Sequence, residues 1–208
     1  MKYEEIELVI PTSWNDITIR MYQQFVNINK KKYSNEEEKA VDLVCTLCNV
    51  TRDELSRFSY KDLKYIVERL YKVMESKMDK ETLIKKVEFQ GIKHGLIPNF
   101  SAISLGEFID IENHCQDAHN NLHKLMYIMY RPIIKERGER YSIKEYMPDQ
   151  FKEEDYLDFP ILAALSSLTF FFNLGKQLKL ALLKYSKREV DRKIIKLKKL
   201  RRSGVGIM

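Results

Sequence analysis

The sequence predicts a mainly α protein with short β-strands and hairpins. Two pseudo-repeated helical lobes would pack around a long apolar helix, and a basic C-terminal helix would follow. Three observations carry this expectation. Gly and Pro are scarce, at 7 and 5 of 208 residues, which favours helices over many tight turns. Several stretches open on a hydroxyl or amide residue followed by apolar positions at helical spacing. Finally, "VIPTSWNDITIRMYQQF" (Val9 to Phe25) is echoed by "LIPNFSAISLGEFID" (Leu96 to Asp110), each reading Ile-Pro and then a capped apolar run.

Taken in order, Glu4 to Ile10 alternates polar and apolar residues, the pattern of a half-buried strand that Pro11 ends. Thr18 stands as an N-cap before Ile19, Met21, Tyr22, Phe25 and Val26. Ser34 or Asn35 caps a second helix, Glu36 to Cys48, whose acidic first turn suits the helix dipole. Thr51-x-x-Glu54 is a capping box for a short helix. Ser59-x-x-Asp62 resembles one and opens a longer helix to about Ser76, striped by Leu63, Ile66, Val67, Leu70, Tyr71 and Met74.

The pattern then restarts. Lys85 to Phe89 and Ile92 to Ile97 flank Gln90-Gly91 as a hairpin. Ser104 caps Leu105 to about Glu112, and Leu122 to Arg131 reads as a helix that stops before Pro132. Ile133 to Lys135 and Tyr141 to Lys144 suggest a second hairpin, and "MPDQFKEED" a short helix. Pro160 opens a long apolar helix to Leu183, with Leu162, Leu165, Leu168 and Phe172 facing the first lobe and Phe170 to Phe172 buried. From Thr18 to Ser104 the offset is 86 residues, and duplication is the reading, against the chance that Ile-Pro before a helix is a common phrase. The expected organisation is residues 1–80 as one lobe, 81–183 as a similar lobe with an inserted hairpin, and 184–208 as a basic helix and tail.

Hydrophobic residues make up 44% of the chain, enough for a sizeable core. The net charge of +6 is uneven. Lys184 to Arg202 holds ten Lys/Arg against two acids, a net +8, so the remainder sums to −2. Three Cys and no signal-peptide pattern point to reduced thiols in a cytosolic setting. The uncharged run from Pro160 to Gly175 is sixteen residues, short of the ~20 that a membrane span needs, and no membrane partner is expected.

No catalytic signature is present, so the expectation is a non-enzyme without cofactor or metal. Cys45-Thr-Leu-Cys48 lies inside a helix and lacks a second CxxC, which favours core cysteines over zinc or redox chemistry. Cys115, His119 and His123 fall on one face if their segment is helical. "HNNLH" nevertheless carries Asn120 where a metalloprotease helix needs Glu, and a metal-dependent enzyme is the third-ranked class. The most distinctive segment is the basic one. Its candidate partner-binding residues are Lys187, Arg188, Arg192, Lys193, Ile194, Lys196, Leu197, Lys198, Lys199, Leu200, Arg201 and Arg202. Charge would steer a partner and Ile194, Leu197 and Leu200 would dock it. The alternative is a nucleic-acid-binding accessory protein that uses the same segment.

"GLIPNFSAISLGEFIDIEN", "NLHKLMYIMYRPI", "YSIKEY", "FFFNLGKQL" and the terminal "RSGVGIM" together resemble a group of roughly 200-residue tailed-bacteriophage proteins of virion morphogenesis, tail assembly chaperone-like. The similarity is clearest over residues 85–208. It implies a bacteriophage virion assembly protein acting by protein–protein binding, as a tail assembly chaperone or a head–tail connector or ring component. Phage tail or connector proteins would be its partners, with room for homo-oligomers. Its place would be the host cytoplasm during assembly, or the virion. The resemblance transfers no site residues.

Overall fold

The computed structural model describes residues 8–79, 82–150 and 152–176. The chain divides into two compact units, Met1–Ser167 and Leu168–Met208. The first unit is a mixed α/β structure. Its helices are α1 (Ile19–Lys30), α2 (Glu36–Leu47), α3 (Arg52–Leu55), α4 (Tyr60–Glu75), α5 (Leu105–Cys115) and α6 (Leu122–Met129). A seventh, α7, begins at residue 161 and is helical through 176. The strands β1 (Lys86–Phe89), β2 (Ile92–Leu96), β3 (Tyr130–Arg137) and β4 (Arg140–Ile143) form one antiparallel sheet in chain order.

Local sequence sets most helix starts. Thr18 accepts the Met21 N–H, and Asn35, not Ser34, accepts the Glu38 N–H. Full capping boxes close at Thr51/Glu54, Ser59/Asp62 and Ser104/Glu107. A fourth, Ser13/Asp16, orders a 3-10 turn at Trp14–Asp16 ahead of α1. The β1–β2 hairpin turns through Gln90 (φ 52°) and Gly91 (φ 71°), the double left-handed conformation whose twist matches the strands.

The mainly α, twin-lobed expectation is overturned by a four-stranded antiparallel sheet. The two hairpins are not separate ornaments, because β2 pairs with β3 at Leu96↔Tyr130, Gly95↔Arg131 and His94↔Pro132. The helix read to Arg131 stops at Met129. Pro132 disfavours helical backbone at Arg131, and Tyr130 and Arg131 find β2 as a partner instead. Three pairs of elements keep the 86-residue spacing: the turns at Trp14 and Phe100, α1 and α5, and α2 and α6. There the parallel ends. The sheet belongs to one stretch alone, and both stretches lie within a single compact unit. Residues 8–10 are not strand, and the rest of the Glu4 to Ile10 strand lies outside the described residues. "MPDQFKEED" gives two 3-10 turns, Pro148–Gln150 and Glu153–Tyr156.

The core joins distant segments. The α1 start is tied to the approach to α7: Ile19 N–H donates to the Phe159 carbonyl (3.0 Å), Arg20 N–H to Leu157 (2.8 Å), and Ile161 N–H to Ile17 (3.0 Å). Phe159 is fully buried against Phe89 (centroids 5.2 Å) and Tyr130 (5.1 Å). On α7 the packed face is Ile161, Ala163, Ala164, Ser166 and Ser167, while Leu162 and Leu165 are only half-buried. Small side chains fit there because Tyr130 closes over the helix, its hydroxyl donating to the Ile84 carbonyl and lying 3.3 Å from that of Ala163. In the second unit, Phe171 and Phe172 meet edge to face at 6.3 Å. Phe170 and Phe172 remain 37% and 49% exposed, so the triplet is not the buried cluster expected. No described helix is long and apolar enough to cross a membrane.

Candidate functional site

The expected partner-binding residues, Lys187 to Arg202, lie outside the described residues. Sequence reasoning also singled out the thiols and imidazoles, and the structure places them as follows. Cys45 sits on α2 and Cys48 caps its end; both are free thiols. Burial pushes the Cys48 thiol up to about 11, helped by Cys45, and burial also raises Cys45 and Cys115. Thiols held this way are poor nucleophiles and poor metal ligands.

Cys115 ends α5 and His123 lies on α6, with a turn between, so Cys115, His119 and His123 do not share a helical face. No metal-competent group of three His, Cys, Asp or Glu occurs among the described residues. His119 stands edgewise to Tyr22 at 6.0 Å, and its carbonyl accepts from Gln23 Nε2 at 2.7 Å. His94 is buried on β2, its Nδ1 3.0 Å from the Ile92 carbonyl and its ring edgewise to both Phe89 and Tyr156.

One polar cluster went unread in the sequence. Glu107, on the inner face of α5, meets Arg131 of β3 through Arg131 Nη2 and Glu107 Oε1. The two side chains are only 9% and 10% exposed. Glu107 Oε2 accepts the Ser104 N–H at 2.7 Å, which closes the capping box. Burial works against the Glu107 carboxylate. The Ser104 N–H and hydroxyl, then Arg131, outweigh it and hold its pKa below the ordinary value. One turn on, Asp110 Oδ2 accepts the Tyr146 hydroxyl at 2.7 Å, and burial followed by Asp110 raises that phenol. A hollow of about 440 Å³ opens beside this cluster, lined by Ile97, Pro98, Ser104, Glu107, Arg131 and Tyr146 among others.

Chemically the cluster holds rather than reacts. Both Glu107 oxygens are engaged, and the Tyr146 proton is committed to Asp110. Among the described residues, a larger hollow of about 850 Å³ beside Trp14, Tyr22 and Met74 is lined by no His or Cys. What the cluster does is fix α5. With Glu107 and Ile111 buried inward, the helix turns Leu105 (75% exposed), Phe108 (46%) and Ile109 (45%) outward. Glu112 is exposed one turn further on.

Comparison with protein-family models, curated proteins and solved structures gives no match. The phage, tail and chaperone identity therefore gains no relative. The mainly α architecture that accompanied it is replaced by the mixed fold above. Of its expected apolar helix, Pro160 to Leu183, residues 161–176 are helical and 177–183 lie outside the described residues.

Proposed function

We propose that the protein works by binding another protein, the mode of action implied by its resemblance to virion-assembly proteins of tailed phages. The observation that supports this reading is the outer face of α5. Leu105, Phe108 and Ile109 stand exposed on a helix pinned from behind by a buried ion pair. Contiguous exposed apolar side chains on a rigid element are a feature of interaction surfaces. The composition of Lys184 to Arg202 also supports it, net +8 with Ile194, Leu197 and Leu200 interspersed. Such a segment steers acidic partners by charge and then docks by its apolar residues.

Truncation after Tyr185 tests the role of that segment. Affinity capture by the full chain from cells producing it should lose its specific partner on truncation, with thermal unfolding of the remainder nearly unchanged. Undiminished capture would remove the segment from the mechanism. The same charge favours a second reading, nucleic-acid binding, whose mark is an affinity for any sequence that falls steeply with salt. Absence of DNA and RNA binding at low salt eliminates it.

A further inference from the structure

From His94 to His123, thirty consecutive residues contain no Lys or Arg and four acids, Glu107, Asp110, Glu112 and Asp117. Elsewhere the chain is rich in cations, with 36 Lys and Arg in 208 residues. This cation-free stretch includes all of α5. Within it the acids divide by role. Glu107 is committed inward to Arg131, and Asp110 to Tyr146. Glu112 follows Phe108 and Ile109 at i+4 and i+3, so it shares their exposed face with Leu105. The face thus offers three apolar side chains and one free-standing carboxylate position, with no cation on the helix to repel a basic partner.

The chain carries the complementary composition in Lys184 to Arg202, whose Ile194, Leu197 and Leu200 recur at spacings of three among ten cations. Resting on the protein-binding reading above, we infer that the partner for the α5 face is a second copy of this chain, which presents its 184–202 segment. The contact is head-to-tail: the acidic apolar face of one copy takes the basic apolar segment of the next. Such heterologous contacts close into rings or continue as open chains. The apolar side chains supply the contact area, and opposite charge sets the orientation and speeds encounter.

The experiment is sedimentation of the untagged full chain across micromolar concentrations, with two variants. The face variant is Phe108→Ser/Ile109→Ser, and the segment variant is Lys196→Glu/Lys199→Glu. Wild type should self-associate reversibly and weaken with added salt, because exposed charges are screened beyond about 8 Å at physiological ionic strength. Each variant alone should dissociate at concentrations at least about tenfold higher than wild type. Mixed together they should form a one-to-one complex, since one retains the segment and the other the face. Glu112→Lys, a single exposed change, gives the same readout if the double face variant alters the circular dichroism spectrum. A wild type that stays monomeric, association indifferent to either variant, or a mixture that fails to complement would each overturn the inference. Failure here leaves capture of a different protein standing. Loss of such capture in a chain that still self-associates removes only the earlier reading.

Discussion

The ring of Tyr141 lies where a side chain on Gly95 would be. A Cβ built on Gly95 would meet Tyr141 Cε2 at 2.3 Å and Ile133 Cγ1 at 3.1 Å. Gly95 pairs with Arg131 in the middle of the sheet, and the Tyr141 hydroxyl crosses from β4 to donate to the Leu96 carbonyl at 2.8 Å. The missing side chain thus lets one tyrosine clasp three strands.

Gly95→Val should therefore destabilise the protein by about 1–3 kcal/mol through overpacking. In Tyr141→Ala the same substitution should cost much less, because the ring it collides with is gone. Urea unfolding of the four variants of that cycle checks the coupling, and a Gly95→Val cost that is unchanged in Tyr141→Ala would contradict it.

Breaking the Glu107–Arg131 pair from one side strands a buried charge. Glu107→Leu or Arg131→Leu should each cost about 3–5 kcal/mol, whereas the double apolar replacement should recover a large part of that loss. Glu107 also gives a pH signature. Its folded pKa is depressed below the ordinary 4.5, so its contribution is complete above that value and is lost as pH falls through the folded pKa. Glu107→Gln should flatten the acid limb of stability plotted against pH.

His94 acts in a higher window. Burial lowers its pKa from 6.5, with the Ile92 carbonyl opposing. Between the folded value and 6.5 the unfolded chain binds the extra proton, so stability is full above 6.5 and declines as pH drops below it. Half-buried His114 is shifted the same way, by desolvation and then Lys124. Replacing His94 with Phe, which keeps the edge contacts to Phe89 and Tyr156, should shrink the loss of urea midpoint between neutral and mildly acidic pH. A curve identical to wild type would contradict the assignment.

The thiol pair on α2 should be inert in the native state. With Cys48 at about 11 and Cys45 also raised, little thiolate is present at neutral pH. Native-state alkylation by iodoacetamide should be at least about tenfold slower than in denaturant. Rapid native alkylation at Cys48 would show that burial does not govern it.

Capping chemistry was legible in the sequence because it is local. Thr51, Ser59 and Ser104 each mark a helix start three residues before the acid that completes the box. The Gln90-Gly91 hairpin was legible for the same reason. Hidden from view was what depends on distant partners. Tyr130 and Arg131 continue an apolar helical run and become strand only because β2 lies alongside. Arg131 gives no hint in its own neighbourhood that Glu107, 24 residues earlier, is its counter-ion. On α7 the large residues drew attention, but beyond Ile161 the buried positions are the small Ala163, Ala164, Ser166 and Ser167, with Tyr130 packed beside them. For the candidate site, Ser104 before "LGEFIDIEN" marked a capped helix with several apolar positions. Which of them faced outward became clear only once Glu107 was seen to point inward.

The stitching of α1 to the approach of α7 sets a schedule for biogenesis. Arg20 binds Asp158, 138 residues downstream, beside the backbone bonds that seat Ile19. A ribosome adding about 5–20 residues per second needs roughly 7–28 seconds to deliver that partner. Throughout that interval the backbone of Ile17 and Ile19 lacks the Ile161 and Phe159 partners it has in the finished molecule.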